Sequence, residues 1–348
     1  MKTPNDDIRL KMYAASRRQA VRLSKESIGD HKSLSDRREF PLIISPSSPG
    51  ADLLESIAGS REEIREKTLL YGAILFRGFN VLTIEGFEQI VQCLSDRSIE
   101  YRERTSPRSH IQGGVYTSTD YPAEYSIFPH NESSYSWTVP MKLFFYCMEP
   151  ALKGGETPIV DCRKLLQRIS PERRERFMER GWMYVRNFEE GFGLPWQTVF
   201  QTDDRGKLEE YCRQADIRFE WKGDCRLRTW QVRPAIAKHP QTGDFVWFNH
   251  AAFFHVSTLD PRVREGLLEE FEEIDLPNNT YYGDGSPIEP SVLEELRAAY
   301  TEEMVSIPWG KGDLLIVDNM LTAHARSPFT GRRKILVAMA EPFDRRTP

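Results

Sequence analysis

Two stretches of this sequence indicate a mainly β fold that carries a metal site. Residues 312–324 read GDLLIVDNMLTAH, and residues 128–135 read FPHNESSY. The LLIV run is uniformly apolar, as in a strand buried on both faces, and it is followed by an Asp-Asn turn and then by His324. In the other stretch, His130 and Glu132 are two residues apart, so a strand would project both side chains from one face. We therefore expect a strand-borne His-x-Glu pair that a distant histidine can join.

The rest of the chain predicts strands interrupted by helices. Beyond about residue 110, short apolar runs alternate with Gly, Pro and Asn turns, which is typical of sandwiches and barrels. Strands are predicted at 41–45, 71–78, 141–148, 157–161, 183–188, 235–239, 244–248, 313–318 and 334–341. Helices are predicted at 51–70, at 83–95 with Thr83 as N-cap, and at 171–180, 206–215, 261–274 and 290–303. Because there is no internal repeat or low-complexity linker, we expect one domain over residues 41–348.

Composition excludes several classes of protein. The 348 residues are 39% hydrophobic and 28% charged, and the formal net charge of −5 gives no general reason to bind nucleic acid or an anionic membrane. No run of about 18 apolar residues is present, and the first residues lack the apolar segment of a signal peptide, so a cytoplasmic location is expected. The five cysteines have no Cys-x-x-Cys spacing, which predicts reduced thiols.

Residues 1–40 form a basic arm. They contain 10 Lys or Arg and 6 Asp or Glu, a local net charge of +4. Such a segment can be a solvated arm, a helix over the core, or a docking surface for an acidic partner. An acyl or peptidyl carrier protein that delivers a tethered substrate is therefore one possible partner.

The metal prediction rests on residue types as well as spacing. Two imidazoles and one carboxylate on one face of an octahedral ion leave three positions open, which is the arrangement of non-heme Fe(II) oxygenases. A carboxylate such as Glu132 is costly to bury unpaired, which favours a ligand role for the pair. Spacing alone does not single out His324, since His110, His250 and His255 are rivals.

A cation lies close to the distal histidine. Arg333 follows His324 by nine residues, and the planar guanidinium is suited to binding a carboxylate in a bidentate manner. We expect Arg333 to hold a dicarboxylate cosubstrate. Arg326 and Lys334 are alternatives for this role, and Arg332 is expected to be an exposed charge.

Three blocks together resemble the taurine dioxygenase family of Fe(II)- and 2-oxoglutarate-dependent oxygenases, in the group that includes clavaminate synthase. The blocks are residues 130–132, the GGETPIVD segment at 154–161, and residues 312–333, and the resemblance extends from about residue 42 to 343. It implies an α+β, mainly β fold: a double-stranded β-helix (jelly-roll) core with helical insertions. It also implies that Fe(II) is held by His130, Glu132 and His324, that Arg333 and Thr157 hold 2-oxoglutarate, and that dioxygen is consumed.

Departures from the family pattern narrow the expected chemistry. Glu132 stands where aspartate is common, as in the amino-acid hydroxylases of the group, and it fills the position that halogenating members leave to chloride. Val337 occupies the place of the arginine that binds a sulfonate in taurine-type members. We therefore expect hydroxylation of an unactivated carbon of an amino acid or amino-acid-derived substrate in natural product biosynthesis. A desaturase or oxidative cyclase with the same cofactors, and a non-catalytic jelly-roll binding protein with a structural metal, are the alternatives.

The substrate pocket is predicted from polar and aromatic residues near the first ligand and in the middle of the chain. Thr119 lies in a hydroxyl-rich segment, and Arg233 and Asn249 adjoin aromatic residues, so all three are candidate substrate residues. His250 and His255 are expected to be structural, or to contact the metal ligands, and not to bind the metal themselves. The oligomeric state is not predictable from these patterns.

Overall fold

The computed structural model describes residues 40–48, 50–80, 82–96, 110–118, 121–189, 194–223 and 226–347. Most of the basic arm and the candidate Thr119 lie outside the described residues. The strands are β1 Leu42–Ile44, β2 Ala73–Phe76, β3 His110–Gln112, β4 Val115–Thr117, β5 Ile127–His130, β6 Thr138–Glu149, β7 Lys153–Gly154, β8 Ile159–Asp161, β9 Trp182–Phe188, β10 Ile217–Lys222, β11 Arg226–Arg233, β12 Ile236–Lys238, β13 Phe245–Trp247, β14 Asn278–Tyr282, β15 Met304–Val305, β16 Leu314–Asp318, β17 Thr322–Arg326, β18 Phe329–Thr330 and β19 Lys334–Asp344. The α-helices are α1 Leu53–Ile57, α2 Arg61–Tyr71, α3 Ile84–Leu94, α4 Cys162–Arg168, α5 Pro171–Arg180, α6 Trp196–Phe200, α7 Arg205–Gln214, α8 Pro261–Glu270 and α9 Pro290–Glu303.

A seven-stranded sheet is the largest in the described part of the chain. Its strand order is β1-β2-β16-β6-β19-β4-β3. Alternate residues of its central strands point to opposite sides, and both sides are buried: Leu314 and Ile316 pack with α1 to α3, whereas Leu315 and Val317 belong to a second core. Burial of both faces explains why these strands read as unbroken apolar runs.

The second core lies between the large sheet and a four-stranded sheet of order β15-β8-β17-β5. Ile159 of β8 packs there with Phe145 of β6 and Val337 of β19. Two of the predicted metal ligands belong to this smaller sheet, because His130 ends β5 and His324 is the middle residue of β17. Residues on this face of the large sheet, among them Phe145 and Val337, line the same pocket as the two histidines.

Most predicted elements are confirmed, and helical ends follow their capping residues. Thr83 caps α3 by accepting a hydrogen bond from the N–H of Gly86, as expected. The predicted single helix over 51–70 was wrong: it is two helices, α1 and α2. The chain turns between them at Gly59, whose φ of 83° is in the left-handed region that glycine tolerates, and α2 starts after Ser60.

The cysteines and the helix lengths can be compared with expectation for the described residues. Cys93, Cys147, Cys162 and Cys212 are free thiols, as predicted, and Cys225 lies outside the described residues. The longest helix described, α9, has 14 residues, and none of the helices described is long and apolar enough to cross a membrane.

Candidate active site

His130, Glu132 and His324 are brought together by the fold. One ligand atom from each side chain lies within 4.8 Å of the other two, and this is the only group of three His, Cys, Asp or Glu residues in the described chain that could hold a metal ion. The two imidazole centroids are 4.4 Å apart. Glu132 is 4% exposed and His324 6% exposed. This donor set, one carboxylate and two imidazoles within reach of one ion, suits Fe(II).

His130 is oriented for a role as ligand through its other ring nitrogen. Its Nδ1 lies 2.9 Å from the carbonyl oxygen of Phe128. A carbonyl only accepts, so Nδ1 carries the proton and Nε2 retains its lone pair. The ring also stacks on Phe253, with centroids 4.8 Å apart and planes 19° apart.

Glu132 is held in a way that the strand argument did not anticipate. The expectation that a strand projects His130 and Glu132 from one face was wrong, because β5 ends at His130 and Glu132 lies in the following turn. The next residue, Ser133, has a φ of 57°, which turns the chain away from the strand direction. Instead of a neighbouring strand, the side chain of Asn319 binds the main chain of Glu132.

Arg333 lines a pocket beside the histidines. The lining residues are Ser118, Ile127, His130, Phe145, Thr157, His324, Ala325, Arg326, Arg333, Ile335 and Val337. Arg333 donates from Nε to the Gly155 carbonyl at 2.8 Å and from one terminal nitrogen to Ser118 Oγ at 3.1 Å. Gly155 is required here, because its φ is 75° and a Cβ would come within 3.0 Å of the Arg333 side chain.

The pocket carries two positive charges. Burial and the neighbouring Arg326 guanidinium lower the pKa of Arg333 to about 10, which leaves it charged at neutral pH. Arg326 is 6% exposed, and burial lowers its pKa as well. Within the described chain, no carboxylate lies at ion-pair distance from either guanidinium. Arg326 is buried and Arg333 is partly buried, and removing guanidinium groups from water without an ion-pair partner is costly, so the pocket is suited to a dianion such as 2-oxoglutarate.

Thr157 faces the same pocket with a hydroxyl that is already oriented. Its Oγ1 accepts a hydrogen bond from Trp309 Nε1 at 3.2 Å and lies 3.5 Å from a terminal nitrogen of Arg333. With its acceptor sites facing these donors, its own proton is available for a carboxylate oxygen.

The remaining predicted residues lie elsewhere or use their polar groups locally. Arg233 is 1% exposed and donates to the carbonyls of Tyr135, Val232, Ala215 and Asp216, and Asn249 pairs with the main chain of Ala235 and Ala251. Neither residue lines the pocket. The predicted substrate roles of Arg233 and Asn249 stay predictions.

The alternative residues can also be located. His250 is fully buried, hydrogen-bonds to Ser134, and has its pKa lowered well below the usual value by burial and by His130. His255 caps a short 3-10 helix, and burial lowers its pKa to about 4. Both histidines are therefore neutral near pH 7. Arg332 and Lys334 are exposed, and the His110 side chain lies outside the described residues.

Three residues of the site were not singled out from sequence. Ser118 and Trp309 contact Arg333 and Thr157, and Asn319 binds Glu132 across 187 positions of the chain. The Asp318-Asn319 turn was visible in the sequence, but nothing in it indicated which distant segment Asn319 would bind.

Comparisons of the sequence with a family model and with known proteins agree on one family. A family model described as "Taurine catabolism dioxygenase TauD, TfdA family" matches residues 38–339. The chain is 41% identical to dapdiamide synthesis protein DdaC of Enterobacter agglomerans over 271 residues, which cover 78% of this chain and 82% of that protein. It is 29% identical to a clavaminate synthase-like protein of Arabidopsis thaliana over 88% of this chain and 95% of the relative.

Solved structures agree at the level of the fold. PvcB, described as an Fe, alpha-ketoglutarate dependent oxygenase from an isonitrile synthetic pathway, has a TM-score of 0.51 at 15% identity and covers 87% of this chain and 88% of its own. AAD-2, solved with Mn(II) and N-oxalylglycine, has a TM-score of 0.51 at 13% identity and covers 87% and 95%. The family match, which spans nearly all of the chain beyond the basic arm, identifies this protein as a member of the TauD/TfdA family and as an Fe(II)- and 2-oxoglutarate-dependent oxygenase.

Proposed function

We propose that this oxygenase hydroxylates an unactivated carbon of an amino acid or an amino-acid-derived molecule in natural product biosynthesis. The observation that carries the proposal is the convergence of His130, Glu132 and His324 beside the cationic pocket of Arg333. The similarity to a relative named for dapdiamide synthesis supports the metabolic setting. Glu132 supports oxygen insertion over halogenation, since it fills the ligand position that chloride would need.

In this proposal, His130, Glu132 and His324 hold Fe(II), and Arg333 with Thr157 holds the distal carboxylate of 2-oxoglutarate. When bound, these cofactors and dioxygen supply the oxidising power, with 2-oxoglutarate leaving as succinate and carbon dioxide while one oxygen atom enters the substrate. The Phe128 carbonyl keeps the His130 proton on Nδ1, so that Nε2 is available for the ion.

The pocket walls contribute by orientation and by exclusion of water. Ile127, Phe145, Ile335 and Val337 provide apolar surface around the two arginines. In such surroundings a carboxylate–guanidinium pair is stronger than in water, which fixes the cosubstrate in one orientation. A fixed cosubstrate and an apolar wall together restrict oxidation to the C–H bond that the site presents.

The finer fold assignment is part of the same proposal. We assign residues 41–348 to one domain with a double-stranded β-helix (jelly-roll) core and helical insertions. Support comes from the packing of the large sheet on the smaller sheet that bears His130 and His324, with one shared apolar core. The predicted cytoplasmic location stays a prediction.

The experiment combines cofactor loading with product analysis. Apoprotein loaded anaerobically with Fe(II) and 2-oxoglutarate is expected to develop the visible absorption of the iron–keto acid chelate. Exposure to oxygen with a panel of free amino acids, amino-acid amides and carrier-tethered amino acids is then read by succinate release and by product mass. A product that gains one oxygen atom supports hydroxylation. Loss of two hydrogens instead identifies the desaturase or cyclase alternative and overturns the proposal.

Delivery by a carrier protein depends on the basic arm and is tested separately. Full-length protein and protein lacking residues 1–40 are compared on the same free and tethered substrate. If the arm docks a carrier, deletion lowers kcat/KM for the tethered substrate and leaves that for the free substrate unchanged. Equal kcat/KM values for the two proteins on the tethered substrate would exclude the docking role.

A further inference from the structure

The main chain of Glu132 is paired to one side chain as if to a neighbouring strand. Asn319 Oδ1 accepts a hydrogen bond from the Glu132 N–H at 2.7 Å, and Asn319 Nδ2 donates to the Glu132 carbonyl at 2.9 Å. The same Nδ2 donates to the Pro140 carbonyl at 2.9 Å. A carboxamide has one acceptor oxygen and two donor hydrogens. This side chain therefore pairs with both the N–H and the carbonyl of Glu132 and donates its remaining hydrogen to Pro140 in β6.

Asn319 is itself firmly held. Its side chain is fully buried, its N–H donates to the Met141 carbonyl at 2.8 Å, and its carbonyl accepts from Asn131 Nδ2 at 2.7 Å. Asn131 and Glu132 both belong to the turn that follows His130. Asn319 thus binds that turn through its main-chain carbonyl, which contacts Asn131, and through its side chain, which contacts Glu132.

The turn that carries Asn319 is rigid as well. One oxygen of Asp318 accepts from the N–H groups of Met320 and Leu321 at 2.9 Å, and the other accepts from His239 Nε2 at 3.1 Å. His239 Nδ1 accepts from two main-chain N–H groups, so its proton must be on Nε2, directed at Asp318. The imidazole is fixed in one tautomer and supports the turn from the β12–β13 side.

Asn319 also lies on the segment that delivers the second histidine. It occupies the turn between β16 and β17, five residues before His324, while Glu132 comes from a segment almost two hundred residues earlier. A displacement of the Glu132 turn relative to β17 would change the separation of the carboxylate and the His324 imidazole. The Asn319 carboxamide therefore links both main-chain groups of Glu132 to the turn that leads into β17 and His324.

We propose that Asn319 is a positioning residue that sets the distance between Glu132 and His324, and that metal affinity depends on it although it does not touch the ion. The inference rests on the proposed metal-ligand role of His130, Glu132 and His324. Removal of residues that orient metal ligands typically weakens metal binding by about 10- to 100-fold. We expect a loss in this range for Asn319→Ala.

The test measures metal binding directly, without turnover. Dissociation constants for Mn(II) and Co(II) are determined anaerobically for the full-length apoprotein and for Asn319→Ala, with the Co(II) absorption spectrum as a report on ligand geometry. Because Asn319 is fully buried, Asn319→Asp serves as a second variant: it keeps the volume and an acceptor for the Glu132 N–H but removes both donated bonds. Whichever variant is folded by circular dichroism carries the test.

The matched control is another buried asparagine that bridges segments away from the site. Asn279 is 1% exposed, accepts from the Val256 N–H at 3.0 Å and donates to Glu273 and Tyr281. Asn279→Ala is expected to lower the melting temperature but to leave the metal dissociation constants within twofold of the parent. Asn319 variants should weaken metal binding by at least tenfold and alter the Co(II) spectrum.

Two results separate failure of this inference from failure of the proposed site. If Glu132→Ala weakens Mn(II) binding but folded Asn319 variants bind it as the parent does, Asn319 is only structural and the inference is overturned. If Glu132→Ala leaves Mn(II) binding unchanged, the proposed ligand set itself is wrong, and the positioning role is lost with it.

Discussion

His324 lies directly opposite His130 in the antiparallel pairing of β17 with β5, and their ring centroids are 4.4 Å apart. The ladder is irregular immediately beyond this pair, between His324 and Arg326. Two imidazoles that are far apart in the chain are therefore aligned by backbone hydrogen bonds of one small sheet. Only the carboxylate has to be supplied from outside regular structure, which makes Glu132 the proposed ligand whose placement depends most on side-chain contacts.

Replacement of that carboxylate should remove both metal binding and catalysis. We expect Glu132→Ala to bind Mn(II) at least tenfold more weakly than the parent and to release no substrate-dependent succinate, because two imidazoles alone do not complete the facial set. Isothermal titration and succinate assays measure the two effects. Glu265→Ala, an exposed acid on α8, should match the parent in both. Full turnover by Glu132→Ala would remove Glu132 from the metal site.

Periodicity and capping predicted much of the fold. The run of residues 314–317 was predicted as a buried strand because each of its residues is apolar, and it lies in β16 with both faces covered. The helix after Thr83 was predicted from a cap followed by helical spacing, and it begins where the cap requires. Local rules suffice for these elements because the side chains that decide them are neighbours in the chain.

Placements that depend on distant contacts were not predictable in this way. Glu132 was assigned to a strand from a spacing of two, but a contact with Asn319 decides its position. Arg233 resembled a pocket cation, yet four carbonyls around it accept its hydrogen bonds, and a sequence pattern cannot reveal those acceptors. The break at Gly59 shows the same limit on a smaller scale, since apolar spacing continued through the turn.

Loss of the Arg333 guanidinium should act on the cosubstrate and not on the metal. Arg333→Ala is expected to raise the KM for 2-oxoglutarate by about 100-fold, since truncation of one partner of a buried charge pair costs about 2–5 kcal/mol. The KM of Arg333→Lys should lie between those of the parent and Arg333→Ala, because an ammonium keeps the charge but cannot bind a carboxylate with two parallel bonds. Initial rates at varied 2-oxoglutarate and Mn(II) titrations separate the two effects.

The neighbouring Arg332 offers a control for that prediction. It is exposed and differs from Arg333 by one position on the approach to β19. Arg332→Ala should keep the parental KM for 2-oxoglutarate. An unchanged KM in Arg333→Ala would transfer the cosubstrate role to another cation, of which Arg326 is the one in the same pocket.

Thr157 tests the contribution of a single hydroxyl. Thr157→Val keeps the shape but removes both the acceptor for Trp309 and the proton offered to the cosubstrate. We expect the KM for 2-oxoglutarate to rise about 5- to 10-fold, in line with about 1 kcal/mol for one hydrogen bond. Thr157→Ser, which retains the hydroxyl, should recover most of the affinity. If the valine and serine variants have the same KM, the hydroxyl does not contact the carboxylate.

Arg326 lines the pocket and also binds the chain segment of residues 121–125. Its two terminal nitrogens donate to the carbonyls of Tyr121, Pro122 and Tyr125 at 2.6 to 2.9 Å. Arg326→Lys preserves the charge, but its single ammonium nitrogen lacks the two separate terminal nitrogens that reach these three carbonyls. We expect faster chymotryptic cleavage after Tyr125, which is already about half exposed, because loss of these contacts lets the segment open more often.

The same variant should show whether the contacts of Arg326 with residues 121–125 affect cosubstrate binding. We expect a rise of roughly tenfold in the KM for 2-oxoglutarate in Arg326→Lys, because a side chain released from these carbonyls no longer keeps its positive charge in place beside Arg333. Arg228→Lys is the control: Arg228 is also buried, but it pairs with Asp275 and Asn187 away from the pocket, so only the melting temperature should fall. Unchanged cleavage combined with a raised KM in Arg326→Lys would instead assign Arg326 a direct contact with the cosubstrate.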